Sequence, residues 1–168
     1  INIKELVSAE RSSKGETKLT EIVRPIGFAE PDDSAAELLE KANRIVLVTG
    51  FPITGANVGE TDGPIGTVSL AAALQKAGKQ AWIVTDALSE QLVGACCDCL
   101  NLRGQFPPVM VASAALEDGK AACDALLELA QPDLIITLER PGKGCDGHFH
   151  NMRGEIIDHM IADTDSLL

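Results

Sequence analysis

The chain has 168 residues, with 14 basic and 25 acidic side chains and a formal net charge of −11, which argues against nucleic acid or an anionic membrane as partner. No apolar run has the length of a membrane span and the N-terminus does not read as a signal peptide; the size suits a single domain, 1–168, with a real core. With no Tyr and one Trp, that core must be built from Ala, Leu, Ile and Val.

Five cysteines (Cys96, Cys97, Cys99, Cys123 and Cys145) make an odd number without a disulfide framework. They read as reduced thiols in a cytosol or similar compartment.

In chain order, Asn2–Ala9 suits a short helix capped by Asn2. Glu10–Thr20 is polar and reads as a loop. Pro31-Asp32-Asp33-Ser34 reads as a helix start, its acids matching the positive end of the helix dipole. Ala35, Leu38, Leu39 and Ala42 supply the apolar face. A buried strand follows at Ile45–Thr49. It breaks into a loop holding Gly50, Pro52, Gly55 and Gly59, which closes on Glu60-Thr61-Asp62-Gly63. Pro64 then opens a helix to about Lys76, with Gly78 past its end. A second strand, Ala81–Thr85, ends in Asp86, and Ser89–Leu100 reads as helix. Val109–Val111 is a short third strand, Leu116–Ala130 a helix, and Leu134–Leu138 a fourth strand ending in Glu139-Arg140-Pro141-Gly142. A Gly-rich polar loop runs to Gly154, and the tail is helical around Ile156–Met160.

This alternation predicts a three-layer αβα domain of the Rossmann-like class, with a mainly parallel sheet. In such sheets ligands bind beyond the carboxyl ends of the strands. Thr49-Gly50, Asp86 and Glu139-Arg140 stand at those ends and are expected to face one crevice. Asp86 serves equally as a cap for the following helix.

The segments TGFP (49–52), ETDGP (60–64), Val84-Thr85-Asp86, ERPG (139–142), DG (146–147) and NMRG (151–154) occur in the order and approximate spacing of one family. The chain resembles the D-glutamate cyclase family over most of its length. The resemblance implies a hydro-lyase that converts D-glutamate to 5-oxo-D-proline and water without an organic cofactor, in a bacterial cytoplasm or, in animals, the mitochondrial matrix. Family members usually continue into a GDGGNEIGMG-like segment. This chain ends at Asp165-Ser166-Leu167-Leu168 without one, so binding without turnover is one expectation.

Ring closure needs the ammonium deprotonated and the γ-carboxyl oxygen protonated, with the α-carboxylate held in place. Glu60, Asp62 and Glu139 are the candidate acids and bases, with Asp146 beside them. The substrate-binding candidates are the loop at Gly50, the backbone N–H groups from Gly63 to Gly66, Asp86, Arg140, Asn151 and Arg153. The two arginines can grip both oxygens of a carboxylate.

Bland roles compete with each. Asp62 is also an ordinary helix cap, Glu139-Arg140 an ordinary ion pair, and Lys143 an ordinary solvated lysine. His148 and His150 share a face of an extended loop but lack a third metal ligand at suitable spacing, so no metal is expected. Cys96-Cys97-Asp98-Cys99 lacks the second pair of a zinc ribbon and reads as buried thiols. Cys145 is the one thiol placed to act as a nucleophile. The competing functional readings are a nucleotide- or small-anion-binding module and a non-catalytic half domain. Against the first, the loop has neither GxGxxG nor a GK[ST] ending. A homo-oligomer is compatible with either.

Overall fold

The computed structural model describes residues 31–102, 110–114 and 119–168. The helix expected at Asn2–Ala9 and the loop Glu10–Thr20 lie outside the described residues. The chain divides into two compact units, Ile1–Ala42 and Asn43–Leu168. Within the first lies helix α1 (Pro31–Lys41), which starts at the acidic Pro31-Asp32-Asp33 turn and closes on a basic residue.

The second unit opens with β1 (Arg44–Thr49) and a short hairpin, β2 (Pro52–Ile53) and β3 (Val58–Gly59). Then come α2 (Asp62–Lys76), β4 (Gln80–Asp86), α3 (Ala87–Cys99), β5 (Met110–Ala114), α4 (Gly119–Ala130) and β6 (Leu134–Leu138). Single 3₁₀ turns at Asp158–Met160 and Asp165–Leu167 mark an otherwise irregular tail. The hairpin was not expected. The two helix starts also fall earlier than Pro64 and Ser89.

The sheet order is β5-β4-β1-β6 and every pairing in it is parallel. Val46 stands between Trp82 and Ile135, and Val48 between Val84 and Thr137. Successive side chains on a strand take opposite faces. Val46, Val48, Trp82 and Val84 therefore pack against Cys123, Leu126 and Ala130 of α4 and against Leu167. Ile45, Leu47 and Ile83 take the other face, where α2 and α3 lie, and are fully buried. Each such side chain is worth about 1.5–3 kcal/mol. The three-layer αβα fold follows. Burial raises the Cys123 thiol above its usual range, with Asp163 adding to the effect.

An arginine ties the amino ends of the strands together. Arg44 donates through Nε to the Ala130 carbonyl at 2.5 Å and through Nη1 to Gln80 Oε1 at 3.0 Å, and its guanidinium lies 5.2 Å from the centre of the Trp82 ring. Asp133 accepts the backbone N–H groups of Asn43 and Arg44. Desolvation alone would push the Asp133 carboxyl up, but those bonds outweigh it and hold it below the ordinary value.

Candidate functional site

From β1 the chain winds outward to β4 and β5, then returns to the far side of β1 as β6. The strand order therefore reverses between β1 and β6, the position where open α/β sheets bind ligands. Gly50 leaves β1 there with φ +123°, a conformation that glycine takes without strain.

Arg140 leaves β6 beside it. Its Nη1 lies 2.6 Å from Asp86 Oδ2, and both side chains are 2% exposed. Nη1 also donates to the Gly50 carbonyl at 3.3 Å, Nη2 to the Ala162 carbonyl at 2.5 Å, and Nε to Thr164 Oγ1 at 3.2 Å. This arginine thus joins the ends of β1, β4 and β6 to the tail. Two expectations change accordingly. Asp86 stands at the cap position of α3 but makes no capping bond, because its carboxylate faces Arg140 instead. Arg140 spends its donors on protein acceptors rather than presenting a fork to solvent.

Glu139 is exposed and sits in the left-handed region at φ +46°. A non-glycine residue held there costs about 1–3 kcal/mol. A Cβ added to Gly63 would stand 2.7 Å from Glu139 Cβ and 2.9 Å from Thr49 Oγ1. The start of α2 therefore abuts the ends of β1 and β6, with Asp62 the first residue of that helix and Glu139 the first after that strand. Gly63→Ala is expected to lower the melting temperature. The gain in helix propensity, about 1 kcal/mol, is smaller than the ~1–3 kcal/mol of overpacking against two strand ends. An unchanged or higher melting temperature would show that Gly63 does not hold that junction.

The expected run of anion-binding N–H groups from Gly63 to Gly66 is not open. Gly63 N–H donates to Asp62 Oδ1 at 3.0 Å and Ile65 N–H to the Thr61 carbonyl at 3.4 Å. Pro64 has no N–H. Because α2 begins at Asp62, the Gly66 N–H falls inside the helical ladder. Glu60 sits half-buried between β3 and α2, its N–H bonded to the Phe51 carbonyl at 2.8 Å.

The α2–α3 side of the strand ends carries hydroxyls that sequence reasoning missed. Thr49, Thr85 and Ser89 are at most 1% exposed. Among the described residues, none of their hydroxyls finds a hydrogen-bond partner. The available signal was a hydroxyl residue closing each of two buried strands and a serine in the first turn of the next helix. The hairpin lies over Ser89: a Cβ on Gly59 would stand 2.2 Å from Ser89 Oγ.

The 142–158 loop is organised by its own side chains. Asn151 Nδ2 donates to Glu155 Oε2 at 2.6 Å and to Thr54 Oγ1 at 3.4 Å, while its Oδ1 accepts the N–H groups of Arg153 and Glu155. Asn151 thus shapes the turn and links it to the hairpin. Arg153 is exposed at that turn, and among the described residues no bond ties its side chain to the strand ends. Lys143 pairs with Asp163 rather than standing free. His150 lies 3.3 Å from Asp146. Among the described residues no three His, Cys, Asp or Glu side chains are grouped to hold a metal ion. Cys97 and Cys123 are buried, and Cys99 and Cys145 are exposed.

His148 Nδ1 lies 2.6 Å from Asp158 Oδ2, and Asp158 Oδ1 accepts the Phe149 N–H at 2.7 Å. The Asp158 contact raises His148 above 6.5, and the His148 contact lowers Asp158 below 3.8. Stability from this pair is lost as pH falls through the lowered Asp158 value. It is also lost as pH rises through the raised His148 value. The melting-temperature difference between the parent and His148→Gln should be largest near ~pH 5–6 and fade above ~pH 8. A difference independent of pH would remove the ion pair from that loop.

The family model described as "D-glutamate cyclase-like, C-terminal" matches residues 4–168. A curated relative, the mitochondrial D-glutamate cyclase of Homo sapiens, is 29% identical over 137 residues, covering 77% of this chain and 22% of that protein. The chain thus spans about a fifth of the length of the curated relative it matches. Among the described residues no helix is long and apolar enough to cross a membrane.

Proposed function

We propose a reaction for this chain, which belongs to the D-glutamate cyclase-like, C-terminal family: closure of D-glutamate to 5-oxo-D-proline with loss of water, a hydro-lyase activity. The observation that carries it is the meeting of the α2 start, with Asp62, and the β6 end, with Glu139, across Gly63 at the sheet's switch point. That rim supplies carboxylates where an amine must be deprotonated and a carboxyl oxygen protonated.

In this reading the substrate curls so that its nitrogen meets the γ-carboxyl carbon. The C–N bond forms, one C–O bond breaks, and two protons from the ammonium leave with that oxygen as water. Glu139 exchanges protons with the reacting groups. Asp62 and Glu60 attract the ammonium. Arg140 is a positioning residue: it fixes the Gly50 carbonyl and the ends of β4 and β6. Holding the chain curled orders the rotors that ring closure must otherwise freeze.

The test is incubation of the chain with D- and L-glutamate, followed by chiral separation of 5-oxoproline. Formation of 5-oxo-D-proline from D-glutamate alone supports the reading. Failure of both enantiomers to react or to bind would end it. A second reading, a nucleotide-binding module, draws on the strand order, which matches one half of a dinucleotide-binding sheet. Thermal protection by ATP or NAD but not by D-glutamate would favour it.

A further inference from the structure

Resting on that reading, we propose that Ser89 and Thr85 are substrate-binding residues. With the uncapped start of α3 they form the subsite for the carboxylate that survives ring closure, and the β2–β3 hairpin is its cover.

The two hydroxyls converge on one point. Ser89 Oγ and Thr85 Oγ1 each lie 3.1 Å from where a Cβ of Gly50 would stand, and Arg140 Nη1 lies 3.3 Å from it. Ser89 is 1% exposed and Thr85 0% exposed, yet among the described residues neither hydroxyl has a hydrogen-bond partner. A sealed hydroxyl forfeits its hydration, so native chains leave few of them without a partner. Thr49, with the same deficit, ends the adjacent strand.

The helix above them is equally short of an acceptor. The carboxylate that would cap α3 is turned to Arg140. At the start of α2, by contrast, Asp62 and Thr61 already accept donors. The open N-terminus is therefore the one beside Gly50. First-turn donors without a side-chain cap, at the positive end of a 13-residue helix, suit an oxygen ligand with negative charge. Glu139 abuts Gly63, the residue after Asp62, on the Thr49 side. The reacting end of the substrate belongs there, and the unreacting carboxylate at Ser89.

The cover is the hairpin. Among the described residues its strands pair with each other and with no strand of the main sheet. It closes on Ser89 through Gly59, which has no side chain to hold it there. Entry requires that backbone to lift, after which the Ser89 and Thr85 hydroxyls face the ligand.

The test uses Ser89→Ala and Thr85→Val in the 168-residue chain. D-Glutamate and 5-oxo-D-proline, which share the surviving carboxylate, are titrated calorimetrically, and unliganded melting is recorded. The expected result is ~10–100-fold weaker binding of both ligands, with unliganded melting equal to or above that of the parent. Variants that bind both ligands as the parent does overturn the subsite and leave the cyclase reading intact. A Ser89→Ala chain that melts several degrees lower without ligand also overturns it, since that hydroxyl would then serve the fold. A parent that binds neither ligand overturns the subsite and the cyclase reading together. Should Thr85→Val fail to fold, Ser89→Ala alone decides.

Discussion

Arg140→Ala will lower the melting temperature of the chain by about 6–20 °C. The guanidinium and the Asp86 carboxylate are both 2% exposed and 2.6 Å apart. Removing one partner leaves the other charge buried and unpaired, which costs about 3–5 kcal/mol. It also strips acceptors at Gly50, Ala162 and Thr164 of their donor. Against a total stability of about 5–15 kcal/mol, that is a large share. Arg140→Lys will not recover it, since a point-like ammonium cannot reach acceptors spread around a planar fork. The combined change Asp86→Asn with Arg140→Met should cost less than Arg140→Ala alone, because it removes both charges and nearly keeps the volume. A variant that melts within about 2 °C of the parent but loses affinity for D-glutamate would refute this account and make Arg140 a substrate clamp.

Glu139→Gln is expected to slow ring closure by about 10²–10⁴-fold while leaving the melt nearly unchanged. The side chain is exposed and its backbone is strained at φ +46°, so its carboxylate adds little that the fold depends on. Glu139→Gly separates the two properties. Glycine takes this conformation freely, so that variant should melt as high as the parent or higher and be as inactive as Glu139→Gln. Retained turnover in the glycine variant would show that Glu139 handles no proton. A coincident fall in melting temperature and rate would make it structural.

Much of the fold was legible in the residues. β1 and β4 are short apolar runs between polar or Gly-Pro breaks, and parallel strands buried on both faces read that way; β6 is an equally apolar run, though it is only half-buried. The helices announced themselves by apolar spacing and by end chemistry. The β2–β3 hairpin did not, because strands of two residues are too short to show a period. The shift of the α2 start from Pro64 to Asp62 follows from the free first-turn donors: a proline suits several early positions, not one.

The site was legible as a neighbourhood and not as a set of partners. Gly63 does abut Glu139 and Thr49, so the start of α2 lies at the ends of β1 and β6. The pairing of Arg140 with Asp86 spans 54 positions, and nothing in local sequence distinguishes a committed arginine from an available one. Gly66 was read as a donor because the helix was started too late. The hydroxyls of Thr85 and Ser89 carry no charge and belong to no spaced motif, so they became visible only when the coordinates left them without a partner.

The lone Trp82 gives the molecule a built-in optical reporter with a narrow field of view. Its ring is 5% exposed beneath Arg44 at the amino ends of the strands, whereas Gly50 and Asp86 mark the opposite ends. Its fluorescence should therefore report cooperative loss of the core without interference from events at the crevice. Ligand titrations need a second chromophore, and Phe51→Trp, beside the hairpin, is a natural place to install one.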